Sequence, residues 1–203
     1  LHGGVAVSSG TVALELALRA LGVGHGDNVI LPSYVCSALW LAVQRVGAQA
    51  RLVDINPTTY NLDPQKVRKA RTSRTRAVIV PHMFGLPADL TSLQALDIPL
   101  IEDCAQTLGA MEQGRAVGSV GTLTVCSFYA TKLLCTGEGG MVLSSDEALL
   151  ERVRALVARL IGARSSGWRP ATPRHRSCAE APAPIEAFAT PSTVPDRFVR
   201  NSP

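Results

Sequence analysis

Residues 5–32, "VAVSSGTVALELALRALGVGHGDNVILP", decide the fold. The segment opens on a short β-rich run, "VAVSS", and passes through Ser8–Thr11, "SSGT", into a helical pattern. Leu14, Leu18 and Leu21 share one face of that helix, and Gly22 stops it. "NVILP" then follows as a nearly continuous apolar run, the mark of a strand covered on both faces. Strand, helix and strand in this order predict a right-handed crossover and a largely parallel sheet.

The same alternation runs outward to residue 160. Further strand candidates are "ARLVDI", "AVIVPH", "IPLIED", "TLTVCSF" and "GMVLSS". "SALWLAVQRVG" repeats the helical pattern. In "DEALLERVRALVARL", Leu149, Leu150, Val153, Leu156, Val157 and Leu160 form one stripe, with Asp146 near the helix start. Residues 1–160 are therefore expected to form an α/β domain, a mostly parallel sheet with flanking helices. The pattern breaks near residue 161. Residues 161–203 carry seven of the 13 prolines and no Lys, with neither a helical nor a strand period. They are expected to be a disordered or poorly packed, non-native tail. Translation in a wrong frame would leave such an end, and an intact source frame running past residue 161 would refute that origin.

Composition excludes several classes. The chain of 203 residues is 46% hydrophobic and 18% charged, enough for one sizeable core. No apolar run is long enough for a membrane span, and "LHGGVAVSSG" is not a secretory leader. That start lacks an initiator Met and opens almost directly on a strand, the pattern of a chain cut inside a domain. The five cysteines show no C-x-x-C spacing, and four lie in apolar sequence surroundings. They predict reduced thiols and a cytoplasmic setting. The four His are scattered, so no metal site is expected. The net charge of +4 comes mostly from residues 161–203, which hold six Arg and three acids. No clustered basic face is read in the remainder, so no nucleic-acid partner is expected.

Four clusters fall where open α/β sheets bind ligands, at the carboxyl ends of strands. "SSGT" is an anion site at a helix start, or an ordinary cap by Ser9 or Thr11. Asp103 in "IEDCAQ" ends an apolar strand, where a desolvated carboxylate needs a cation or caps a helix. Lys132 in "SFYATK" follows a buried-type strand, where an amine can attack a carbonyl; alone it would be a surface lysine. Ser127 on that segment is placed to donate to a phosphate. "TGEGGM" has adjacent glycines that allow close backbone approach and matches no Walker loop. Together, an anion-binding helix start, a strand-end Asp and a strand-end Lys are the parts that pyridoxal phosphate requires.

These blocks resemble the DegT/DnrJ/StrS-type sugar aminotransferases, pyridoxal-phosphate enzymes of fold type I. The matching blocks run in family order from "VAVSSGTVALELALRALGVGHGDNVILPSY" through "GAQARLVDINPTTYNLD", "PHMFGLPADL" and "IEDCAQTLGA" to "GSVGTLTVCSFYATKLLCTGEGGMV". The resemblance implies the fold type I large domain, incomplete here, with its N-terminal segment and small domain missing. It implies that Gly10 and Thr11 hold the phosphate with Ser127, that Asp103 pairs with the pyridinium nitrogen, and that Gln106 approaches the phenolic oxygen. Lys132 would form the Schiff base and shuttle the proton. The family's ring-stacking aromatic position is Cys36 here, flanked by Tyr34, so either Tyr34 or Cys36 is expected against the ring. The implied reaction moves an amino group, with glutamate the usual donor, to a nucleotide-linked keto-sugar in a homodimer. The rival expectations are an inactive shortened chain, or another fold type I enzyme such as a cysteine desulfurase or amino-acid aminotransferase.

Overall fold

The computed structural model describes residues 3–162. The tail expected over residues 161–203 lies, but for two residues, outside them. In chain order the elements are β1 (Gly3–Val7), α1 (Gly10–Ala20), β2 (Asn28–Pro32), α2 (Ser37–Arg45), β3 (Gln49–Val53), α3 (Pro64–Ala70), β4 (Thr75–Pro81), α4 (Leu90–Gln94) and β5 (Leu100–Asp103). A short hairpin of β6 (Met111–Glu112) and β7 (Arg115–Ala116) precedes β8 (Leu123–Ser127), β9 (Gly140–Ser144) and α5 (Glu147–Gly162). All seven strands read from the sequence join one sheet in the order β1-β9-β8-β5-β4-β2-β3. The five strands from β8 to β3 pair in parallel. β9 is antiparallel to both β8 and β1.

The apolar runs are continuous because the sheet is covered on both faces. On β2, Val29 and Leu31 pack into the core shared with α1, α2 and α5, while Ile30 packs into the opposite core. β4 repeats this, with Ala77 and Ile79 on one side and Val78 and Val80 on the other. Val67 of α3 and Leu90 and Leu93 of α4 complete the second core. These residues are fully or almost fully shielded, so truncating one such Leu to Ala costs about 2–5 kcal/mol.

Helix ends follow their capping residues. Gly22, at φ +76°, lets the Val23 N–H reach the Leu18 carbonyl at 3.0 Å and its own N–H reach Arg19 at 3.0 Å, closing α1. The Asp146 carboxylate accepts from the Ala148 and Leu149 N–H groups at 2.8 and 3.2 Å, starting α5. α5 runs two residues past the expected boundary at 160. Leu160 is exposed rather than part of the buried stripe, because the core beneath the helix ends near Val157.

One further expectation is corrected. Cys104 and Cys126 are buried, but Cys36 and Cys135 are exposed, since both lie on loops and not in the apolar strands. Arg68, Lys69, Arg71, Arg74 and Arg76 are exposed along α3, the turn after it and the start of β4. Arg71 is tied to the Leu96 carbonyl and Arg76 to Asp27. Of the two cap candidates in "SSGT", Ser9 is the cap, its hydroxyl accepting from Val12 N–H at 3.2 Å. Among the described residues, no helix is long and apolar enough to cross a membrane.

Candidate active site

A cavity of about 360 Å³ opens at the carboxyl ends of β2, β4, β5 and β8 and at the start of α1. It brings together Gly10, Thr11, Cys36, Asp103, Gln106, Ser127 and Lys132. Tyr34 is absent from its wall. Its ring sits instead 6.0 Å from Tyr60 and 6.5 Å from Phe84, in an exposed aromatic triad. Of the two stacking candidates, only Cys36 faces the cavity, and a thiol offers no ring to stack.

The start of α1 makes one wall. The Ser9 carbonyl receives the Ala13 N–H at 2.9 Å, and the first-turn N–H groups of Gly10 and Thr11 have no intrahelical acceptor. They point their partial positive charge toward the cavity end of the helix. Ser127 lies against this turn: a Cβ on Gly10 would stand 2.8 Å from Ser127 Cβ and 3.0 Å from its Oγ. The position must stay free of a side chain for the strand-end hydroxyl to approach the helix N-terminus. From below, Gly140 closes the same turn. A Cβ there would lie 2.5 Å from the Ser9 carbonyl carbon and 2.8 Å from the Gly10 nitrogen. This explains the last glycine of the "GEGG" cluster.

Asp103 ends β5 with its carboxylate almost wholly buried. Oδ1 accepts from the Ala105 N–H at 3.0 Å. Burial pushes the carboxyl above its ordinary value, against the Ala105 N–H and the positive charge of Lys132, which favour ionisation. Lys132 is half-buried on a loop closed at its neck by Phe128 N–H to Gly139 (2.9 Å) and Thr136 N–H to Phe128 (3.0 Å). Gln106 accepts the Phe84 N–H on Oε1 at 3.3 Å, leaving its amide nitrogen to donate.

The sequence reading missed two buried residues at this site, His82 and Glu102. His82 Nε2 lies 3.1 Å from Glu102 Oε2, and its Nδ1 accepts the Ala88 N–H at 2.9 Å. Glu102 also accepts the N–H groups of Gly118 and Val120, each at 2.8 Å, and of Gly121. Burial pushes the Glu102 carboxyl up, but His82 and these three donors outweigh it and hold it below its ordinary range. His82, Glu102 and Cys104 bring potential metal ligands within 4.8 Å of one another. The ring nitrogens and both carboxylate oxygens are already engaged, and burial keeps the Cys104 thiol protonated. The group therefore reads as a hydrogen-bonded network. The "PHM" and "IED" motifs carried the available signal, a polar residue set inside each apolar strand end.

Fold and cavity together define the large domain of the α/β transferases of the pyridoxal-phosphate type. The model of the DegT/DnrJ/EryC1/StrS aminotransferase family matches residues 2–172, and the chain belongs to this family. It is 46% identical over 157 residues to the erythromycin biosynthesis sensory transduction protein EryC1 of Saccharopolyspora erythraea, covering 75% of this chain and 43% of that protein. It is 45% identical over 157 residues to the dTDP-3-amino-3,4,6-trideoxy-alpha-D-glucose transaminase of Streptomyces venezuelae, covering 75% and 41%. The structure of S. venezuelae DesV in complex with a ketimine intermediate aligns with a TM-score of 0.74 at 43% identity, covering 81% of this chain and 45% of that one. The chain thus spans somewhat over two fifths of the length of these curated relatives.

Proposed function

We propose that this chain supplies the cofactor-binding part of a pyridoxal-phosphate-dependent aminotransferase that moves an amino group, from glutamate, to the keto group of a nucleotide-linked sugar. The observation that carries the reading is the convergence of a helix N-terminus, a buried strand-end carboxylate and an amine on one cavity. The residues fit the cofactor. The Gly10–Ser127 approach leaves no room for a side chain where a phosphate would dock. The desolvated Asp103 carboxyl is relieved by a cation, which a protonated ring nitrogen provides.

Pyridoxal phosphate supplies an aldehyde that captures amines and a ring that withdraws electrons. The Gly10 and Thr11 N–H groups and Ser127 Oγ would hold its phosphate. Asp103 would keep the ring nitrogen protonated, and the Gln106 amide would donate to the phenolic oxygen. Lys132 Nζ would hold the aldehyde carbon. Freed by the donor amine, Nζ would take the proton from the donor's amine-bearing carbon and, in the second half-reaction, would deliver one to the keto carbon that receives the nitrogen. The exposed apolar side chains Leu133 (81%) and Phe84 (63%) near the cavity support a homodimeric assembly, which sedimentation would test.

The test is covalent capture. Purified chain incubated with pyridoxal phosphate and reduced with borohydride should carry a pyridoxyl group on Lys132 in peptide mass mapping. Lys132→Ala should carry none on any lysine. Equal labelling of Lys66 or Lys69 in the wild type, or label retained by the variant, would end the proposal.

A further inference from the structure

His82 and Glu102 have no role in the reaction as described above, yet their side chains are fully shielded. Their partners fix where the imidazole proton sits. The Ala88 N–H donates to His82 Nδ1, and a nitrogen that accepts from an amide carries no proton of its own. Nε2 faces Glu102 Oε2, and both oxygens of that carboxylate act as acceptors toward backbone N–H groups. Nε2–H is therefore the donor. A proton on Nδ1 would set two N–H groups against each other in a buried place, at the cost of an unmade hydrogen bond.

Three other titratable groups lie near the ring, Glu102 and Asp103 from β5 and the Cys104 thiol that follows them, and Lys132, from the loop after β8, lines the same cavity. The two carboxylates favour an imidazolium; the Ala88 N–H opposes it, and its backbone donor cannot titrate. The outcome matters for Asp103, because a charge on His82 would act directly on that carboxyl. His82 is also joined to Asp103 through the strand pair, its N–H reaching the Asp103 carbonyl at 3.2 Å. Thr107 Oγ1 donates to the His82 carbonyl at 2.5 Å, fixing the segment from the other side.

We propose that His82 is a positioning residue, held as the neutral Nε2–H imidazole between the Ala88 N–H and Glu102, so that the buried Asp103 carboxyl finds its cation in a protonated ring nitrogen in the cavity and not in the imidazole. The second half of this statement rests on the aminotransferase reading; the first does not. Glu102 then does two things at once. It holds the loop of Gly118, Val120 and Gly121, and it accepts the one proton that His82 carries. The cavity keeps Lys132 as its amine and presents no second cation to Asp103 from the imidazole.

The experiment uses a chain with His2, His25 and His175 replaced by Gln, leaving His82 as its single histidine. Long-range proton–nitrogen spectra of nitrogen-15 histidine are recorded without cofactor between about pH 5.5 and pH 8. The expected result is an unprotonated Nδ1 and a protonated Nε2 throughout. Protons on both ring nitrogens anywhere in this range overturn the proposal. So does a proton on Nδ1. Should the triple variant not fold, the wild-type chain gives the same readout from four signals assigned with the single His→Gln variants. Pyridoxal phosphate labelled at its ring nitrogen is then added at about pH 8. A protonated ring nitrogen beside an unchanged His82 is expected. An unprotonated ring nitrogen overturns the role given to Asp103, and failure to bind at all refutes the proposed function, with the tautomer already decided by the first spectra.

Discussion

Gly140→Ala is the sharpest single perturbation of the cradle. The new methyl would meet backbone, the Ser9 carbonyl carbon at 2.5 Å and the Gly10 nitrogen at 2.8 Å. That is about 1 Å short of ordinary carbon contact. No rotamer relieves it, because both obstacles are main chain. Gly140 is buried in the sheet and paired with Val7 and Ser127, so the start of α1 must give way. Overpacking of this kind costs about 1–3 kcal/mol, a fall in melting temperature of roughly 3–10 °C for a domain of this size. On the proposed function, moving Gly10 and Thr11 would also lengthen their bonds to a bound phosphate. Loss of one charge-assisted hydrogen bond is worth about 1.5–3 kcal/mol, or roughly ten- to hundredfold in affinity. The control is Gly22→Ala, where φ is +76° and no atom lies within 4 Å. It should cost about 1 kcal/mol from backbone conformation alone and leave the cofactor untouched. Differential scanning calorimetry gives the stability, and fluorescence titration with pyridoxal phosphate the affinity. Wild-type affinity in Gly140→Ala, or equal weakening by Gly22→Ala, would refute the reasoning.

Other outcomes follow from single contacts. Asp103→Asn keeps an oxygen for the Ala105 N–H but removes a charge whose ionisation burial opposes. The cofactor-free chain should gain about 1–2 kcal/mol at pH 7 and bind pyridoxal phosphate at least tenfold more weakly; unchanged melting would count against it. Glu102 has a folded carboxyl below its unfolded value. Its contribution is therefore whole above about pH 5 and drains away as pH falls through the folded value. Glu102→Gln should lose about 2–4 kcal/mol at pH 7 and show a shallower acid loss of urea midpoint than wild type, so parallel pH curves would contradict the network. Asp146→Ala removes both caps of α5 and should lower the melting temperature by about 2–4 °C, with no change refuting its capping role.

What the sequence revealed and what it hid have physical causes. β2 and β4 were legible because a strand buried on both faces must be apolar at every position, and the runs have strand length. α3 and α4 span seven and five residues, too few for a helical period. Their signal lay in the caps, since Asp63 before Pro64, and Asp89, accept the first-turn N–H groups. The β6–β7 hairpin has two residues a side and is marked only by the turn at Gln113 and Gly114, both at positive φ. Gly10, Asp103 and Lys132 were readable because each stands at a strand end or helix start. Glu102 was not, because its partners are backbone N–H groups at residues 118–121, and no side-chain pattern announces them. The same holds for His82 and the Ala88 N–H. Between Tyr34 and Cys36 no local pattern could decide; contact with Tyr60 and Phe84 holds the Tyr34 ring outside the cavity wall.

The pairing of β1 with β9 has a consequence for birth on the ribosome. β1 is made before the other strands of this sheet, yet its one sheet neighbour among the described residues spans residues 140–144. At synthesis rates of about 5–20 residues per second, the opening strand waits roughly ten seconds or more for its mate. Through that interval α1 can coil, but Gly140 is not yet beneath Ser9 and Gly10, so the phosphate cradle has only one side. On the proposed function, cofactor capture would be a late event in the life of the nascent chain. The waiting edge, "GGVAV", is the segment that chaperones have most reason to cover.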